Sequence, residues 1–290
     1  MNKILEQVII CPKCGSTLNT SLRGHWHCNH CSFDVPIEHQ KPIFSKVPAI
    51  IEPLEKIERG PELGTPWRRS NWKFLIKTVK TLDPDAIILD VGAGRGDFKA
   101  AFRGKKYLSL DIYPYPEIDL VCDLIESVPL RKDSFDMVTL LNVCEHVYDP
   151  ALLIKRIFPI IKPGGKMLIT IPFLLKIHQE PVDYARYTFI ALERMGREAG
   201  FHVEEIDCFF DYVGLIQEAI SEFRFWGLNE VSNVKRNLAR GLLANIQFSV
   251  NYLESIVGRG VVKNLNESDS PAPIGYHVIF RKLLPGSNPL

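Results

Sequence analysis

The chain has 290 residues, of which 46% are apolar and 24% charged, with a formal net charge of +1. That length holds a full α/β domain and a small appendage. The apolar share excludes a disordered chain, and the balanced charge gives no global drive toward nucleic acid or a membrane surface. Met1-Asn-Lys-Ile-Leu-Glu6 meets charge at once, unlike the apolar core of a secretory leader. The longest helical-looking stretch free of charge, Gly241–Leu253, has 13 residues and is too short to span a bilayer. A cytoplasmic location is the expectation.

The first element is a pair of knuckles. Cys11-Pro-Lys-Cys14 and Cys28-Asn-His-Cys31 are two C-x-x-C motifs separated by 13 residues. Each places two thiolates on one tight turn, and two facing turns make a closed tetrahedral site suited to zinc. Gly15 fits the turn after the first pair. His25, His27 and His30 crowd the second pair, so a Cys₃His set stays open beside Cys11, Cys14, Cys28 and Cys31. Disulfides, which a reducing cytosol disfavours, and a redox pair are the competing readings. Four protein ligands leave no position for substrate, so such a zinc is structural, and it supplies folding energy that a segment this short cannot draw from a core. The ribbon-like module is assigned to residues 1–40. A connector rich in proline and glycine follows over 41–66, and the main domain over 67–290. Ser70 or Asn71 is the expected cap of its first helix. Trp67 and Trp72 suit packing between domains or a lid.

Ile88-Leu-Asp-Val-Gly-Ala-Gly-Arg-Gly-Asp-Phe98 reads as a buried strand running into a tight turn, with glycines at 92, 94 and 96. Glycine has no Cβ and reaches positive φ cheaply, so backbone there can approach a ligand. A dinucleotide fingerprint counted from Gly92 places its third glycine at 97, where this chain has Asp97. Tyr107–Ile112 is the next strand and places Asp111 21 residues after Asp90. An acid there can accept hydrogen bonds from both ribose hydroxyls. Ile118–Asp123 ends a further short apolar run on Asp123, and Phe135–Leu141 is a buried strand followed by Asn142-Val-Cys-Glu-His-Val147. Leu152–Ile161 has helical spacing, Lys162-Pro-Gly-Gly165 breaks it, and Lys166–Ile171 is a strand. Cys122, Cys144 and Cys208 sit singly in apolar runs and read as core residues.

The D-x-G-x-G-x-G spacing resembles motif I of class I S-adenosylmethionine-dependent methyltransferases, and the element order from about Trp72 to Pro172 is similar to theirs. The resemblance implies a doubly wound, Rossmann-like, seven-stranded α/β sheet that binds S-adenosylmethionine. On that resemblance, cofactor contacts fall to Asp90, Gly92, Ala93, Gly94, Gly96, Asp111, Ile112, Asp123, Leu124 and Asn142, with Asp123 serving the adenine amino group.

The loop after Ile171 ends in His178-x-x-Pro-x-Asp183-Tyr-x-Arg186-Tyr-Thr188, which looks like a segment of type 11 methyltransferases, some acting on sugars and other small metabolites. An imidazole can accept a hydroxyl proton, so His178 is the first choice for general base, His146 the second, with Asp183 as a further candidate. Asp183 and Arg186 can equally form an ion pair that organises the loop, with Thr188 capping a helix through Gly196. Phe201–Ile206 and Gly275–Lys282 resemble the last two strands, and more than 60 residues separate them. Within this insertion, 212–272, Val213–Phe225 and Val234–Val257 look helical. Residues 232–263 carry Lys235, Arg236, Arg240, Arg259 and Lys263 against Glu254. Such a stretch suits a lid or a homodimer face, or peripheral contact with a membrane or lipid-linked substrate.

The resulting expectation is methyl transfer to O, N or C of a small metabolite, a sugar- or lipid-linked one included. The layout of zinc module then class I domain is also similar to ribosomal-RNA guanine methyltransferases. Residues 1–70, with nine basic and seven acidic side chains, lack the basic stripe expected for RNA. A non-catalytic scaffold whose ribbon recruits a protein is the alternative of another class; the acids at 90, 111 and 123 weigh against it.

Overall fold

A computed structural model describes residues 2–21, 24–48, 64–223, 232–254, 256, 260–262 and 273–287. At its centre is an eight-stranded sheet. β4 (Ile87–Val91), β5 (Lys106–Asp111), β6 (Leu120–Val121), β7 (Phe135–Leu141) and β8 (Ile161–Pro172) run parallel. β9 (His202–Phe210) and β11 (Gly275–Arg281) complete the seven expected strands, and β11 lies antiparallel between β8 and β9. The order is β10-β9-β11-β8-β7-β4-β5-β6, so the insertion contributes an eighth strand, β10 (Gly260–Val262), at the edge. Ile88, Leu89, Met137, Val138 and Leu140 are fully buried, as expected of parallel strands covered on both faces. The chain leaves β4 for β5 on one side and returns through β7 on the other. That reversal opens a crevice at the strands' carboxyl ends.

Helix α2 (Pro66–Val79) starts earlier than expected. Thr65 Oγ1 accepts from Arg68 N, and Pro66 opens the helix because it lacks an N–H there and has its φ already set. Ser70 and Asn71 are instead buried on the helix, and Trp67 and Trp72 pack within the main domain. α3 (Pro150–Ile157) and α4 (Phe189–Glu198) carry caps at Asp149 and Thr188. Gly196 lets α4 lie against Phe280, where a Cβ would come within 2.5 Å of the ring.

The amino-terminal module holds α1 (Lys3–Val8) and a small sheet of β1 (His25–His27), β2 (Asp34–Glu38) and β3 (Lys41–Pro42). It is built onto the main domain. Ile10 N donates to Pro129 O at 2.9 Å, Arg131 N to Val8 O at 2.7 Å, and Phe44 N to Val121 O at 2.9 Å. Leu5, Val8, Trp26 and Phe44 share one buried cluster with Leu108, Leu110, Leu120 and Leu130. The beginning of the expected connector therefore belongs to the folded body: β3 pairs with β2, and Ile43 bridges to Val121. β6 has one free side for that pairing, and Ile43 and Phe44 supply the apolar side chains that cover it. Residues 49–63 of the connector lie outside the described residues.

In the insertion, α5 (Tyr212–Glu222) packs on α6 (Asn233–Glu254) through Val213, Ile220, Leu243 and Val250. Leu238, Leu242 and Ile246 of α6 continue the helical apolar spacing but face solvent, because a seam with one partner helix occupies only part of that stripe. Arg259 and Lys263 lie outside the described residues. Among the described residues, no helix is long and apolar enough to cross a membrane.

Candidate active site

A cleft of about 490 Å³ opens where β4, β5 and β7 end, within the range of small-molecule sites. Its floor is the turn after β4. Gly92 has φ +71°, and a Cβ there would lie 2.5 Å from Val143 Cγ2, so this position excludes any side chain. Gly94 N donates to Asp111 Oδ2 at 2.8 Å and Tyr113 N to Asp111 Oδ1 at 3.0 Å, fixing the acid at the end of β5. Burial pushes the Asp111 carboxyl up, and these backbone donors pull against it.

Gly92, Ala93, Gly94, Asp111, Ile112, Asp123, Leu124 and Asn142 all line the cleft, together with His146 and His178. Asp90 and Gly96 do not. Asp90 is buried in the sheet, where it accepts from Tyr107 Oη at 2.9 Å and Thr139 Oγ1 at 2.6 Å. Burial raises its carboxyl to about 6. It ties β4 to β5 and β7, because alternation along β4 puts residue 90 on the face opposite Leu89 and Val91.

Several lining residues carry signals that motif matching passes over. Arg95, inside the glycine run, lines this cleft, and its Nη2 is buried with no hydrogen-bond partner. Trp67 forms a wall: its ring stacks on His277 at 5.2 Å, which stacks on Phe74 at 4.6 Å, and its Nε1 donates to Asn142 Oδ1 at 3.0 Å. Burial lowers His277 to about 3, so the ring is neutral and its Nε2 donates to Asn71 Oδ1 at 2.9 Å. Asn71 in turn donates to Asn142, which holds φ +55°. Ser45, from the amino-terminal module, accepts the Asp123 amide at 2.8 Å. No local pattern in sequence ties residue 45 to residue 123.

The far corner gathers Glu145, His146 and His178. His146 Nδ1 donates to Val182 O at 2.9 Å, leaving Nε2 free at 3.8 Å from Glu145 Oε1. Burial lowers the His146 pKa, so its ring is neutral at neutral pH. His178 meets His146 edge to face at 4.9 Å, and its Nδ1 lies 3.2 Å from Asp183 Oδ2. Asp183 does not line the cleft. Arg186 grips both its oxygens and holds the carboxyl down at about 2, so the ion pair of the loop reading is present and doubles as the brace of His178. Glu145 is fully buried and pushed up to about 8 by desolvation; neither of its oxygens has a hydrogen-bond partner. It stands next to His146 in the segment after β7, the one sequence signal that marked it.

In the module, the Sγ atoms of Cys11, Cys14, Cys28 and Cys31 all lie within 4.8 Å of one another. Cys11–Cys31 and Cys14–Cys28 stand 3.5 Å apart, near the edge of about 3.8 Å that tetrahedral bonds of about 2.3 Å to zinc require. Such a site can hold a metal. His27 Nδ1 faces Asp34 at 2.7 Å, away from that set. Cys122, Cys144 and Cys208 are buried and free, as expected of core residues.

Residues 67–210 match the family model of the methyltransferase domain. The chain is 32% identical over 99 residues to the ubiquinone biosynthesis O-methyltransferase of Idiomarina loihiensis, covering 29% of this chain and 41% of that protein. It is 28% identical over 130 residues to the enzyme of the same name from Coxiella burnetii, covering 44% and 56%. The chain thus spans about half the length of the curated relatives it matches. Among solved structures it is similar to phosphoethanolamine N-methyltransferase 2 of Haemonchus contortus, at 19% identity and a TM-score of 0.42, covering 74% of this chain and 52% of that one. Residues 67–210 carry a methyltransferase domain.

Proposed function

We propose that the protein transfers the methyl group of S-adenosylmethionine to a hydroxyl of a small metabolite. The observation that carries this reading is one cleft with a cofactor-type end at Gly92–Gly94, Asp111 and Asp123 and a proton-accepting corner at His146 and His178. The residues suit the cofactor part by part. Arg95, with its unpaired buried nitrogen, would take the carboxylate; Asp111 would accept from the ribose hydroxyls; and the Asp123–Leu124 segment would border the adenine. S-Adenosylmethionine, when bound, supplies a methyl group on a positively charged sulfur. The chain's own task is to hold the acceptor oxygen in line with that carbon, to exclude water and to remove the hydroxyl proton at the corner. His178 suits the last step, because Asp183 and the backbone fix its Nδ1 and leave Nε2 free.

Cys11, Cys14, Cys28 and Cys31 would hold zinc in a closed, structural site that maintains the module. A sugar-linked acceptor fits the 178–188 segment, which resembles one in type 11 methyltransferases, some of which act on sugars. The test is His178→Ala: methyl transfer should fall at least 100-fold while S-adenosylmethionine affinity measured by calorimetry stays within twofold. Unchanged turnover would remove His178 from the reaction.

A further inference from the structure

We propose that Glu145, His146 and His178 form a divalent-metal site at the acceptor end of the cleft. The inference deepens the reading above and rests on it for the ion's role, though not for its binding. One ligand atom from each residue lies within 4.8 Å of the others. Bonds of about 2.1 Å require the three to draw in by about an ångström, within reach of side-chain rotation, since His178 stands on a partly exposed loop.

Three independent features fit a metal. Glu145 is a fully buried carboxyl whose two oxygens receive no hydrogen bond, yet it lines the cleft. A buried carboxylate without a donor is costly, and a cation offsets that cost directly. Second, both imidazoles have Nδ1 occupied and Nε2 available. Val182 O accepts from His146, while Lys176 O and Asp183 Oδ2 lie within 3.2 Å of His178 Nδ1. Fixing the tautomer from behind with a carbonyl or carboxylate is the usual outer support of a metal-bound histidine. Third, the neighbouring charges are already matched, since Arg186 binds both oxygens of Asp183 and so neither competes for the ion nor neutralises Glu145 by contact.

Two imidazoles and one carboxylate suit Mn²⁺, Fe²⁺, Co²⁺ or Zn²⁺, and they leave open positions for oxygen donors. An acceptor hydroxyl placed there would have its pKa lowered. Its O–H bond then breaks with the electron pair kept by oxygen and the proton passing to water, so His178 would act as a ligand and the corner would still perform the deprotonation.

The experiment titrates Mn²⁺ alone into the zinc-loaded full chain, read by electron paramagnetic resonance, with S-adenosylmethionine binding measured on the same samples. One Mn²⁺ per chain is expected, weakened at least tenfold in both Glu145→Gln and His178→Ala. His178→Ala alters a partly exposed position and so keeps the test valid even if Glu145→Gln folds poorly. S-Adenosylmethionine binding without Mn²⁺ binding would overturn the metal site and leave the methyltransferase reading standing. So would equal Mn²⁺ affinity in the variants and the wild type. Mn²⁺ binding at these residues without S-adenosylmethionine binding would uphold the site and defeat the methyltransferase reading.

Discussion

Ser45→Ala probes whether the amino-terminal module contributes to the cleft. Ser45 is buried, and its Oγ accepts the Asp123 amide at 2.8 Å. Its removal leaves that N–H without an acceptor. An unpaired buried donor costs about 1–3 kcal/mol, and the partial exposure of Asp123 argues for the lower half of that range. In the free protein, the loop can shift toward water and recover part of this cost. A bound adenine would return the loop to its place, so most of the penalty falls on the complex. About 1–2 kcal/mol corresponds to affinity for S-adenosylmethionine weakened by about 5- to 30-fold. Calorimetric titration measures it, and a melting curve confirms that the variant is folded. Ser45→Thr keeps the hydroxyl oxygen and should bind within a few-fold of the wild type. Affinity of Ser45→Ala within twofold of the wild type would refute the idea that the module supports the cofactor loop.

Gly92→Ala meets both a φ of +71° and Val143 Cγ2 at 2.5 Å, whereas Gly94→Ala has φ +54° and open space; the first should cost about 2–4 kcal/mol in urea unfolding and the second about 1. Asp90 has a folded-state pKa of about 6 against an ordinary value of 3.8, so the folded state binds the extra proton. Stability should therefore fall as pH rises from about 4 to 6, by about 3 kcal/mol, and Asp90→Asn should flatten that slope in melts across the window. Cys11→Ser should lower the melting temperature of the entire chain in one transition, because the module and the sheet share a buried cluster. Two separate transitions would show that the module folds by itself.

The central sheet was legible because its signals are local. Apolar runs at 87–91 and 135–141 and the glycine turn between strands declare themselves within a few residues, and seven strands lie where the spacing placed them. The eighth was not legible, since three residues of an insertion have no period of their own until β9 offers an edge. The folded start of the connector is hidden in the sequence for a similar reason. Proline-rich sequence at 41–48 looks extended, and extended chain is what pairs with a short edge strand such as β6. In the site, the residues picked by motif spacing at 92, 111 and 123 line the cleft, whereas Asp90 lies behind it, bonded to Tyr107 and Thr139. Glu145 and Ser45 gain their meaning only from what surrounds them in space. The stripe on α6 shows the same limit: periodicity identified the helix, and packing alone decided that Leu243 is buried and Leu242 exposed.

The most direct test is to incubate the protein with methyl-labelled S-adenosylmethionine and fractionated cell extract, and to follow the label. Label is expected in the small-molecule fraction, in a product whose ether survives mild base, and at least 100-fold less of it with His178→Ala. Label in RNA or protein, or undiminished labelling by His178→Ala, would contradict that expectation.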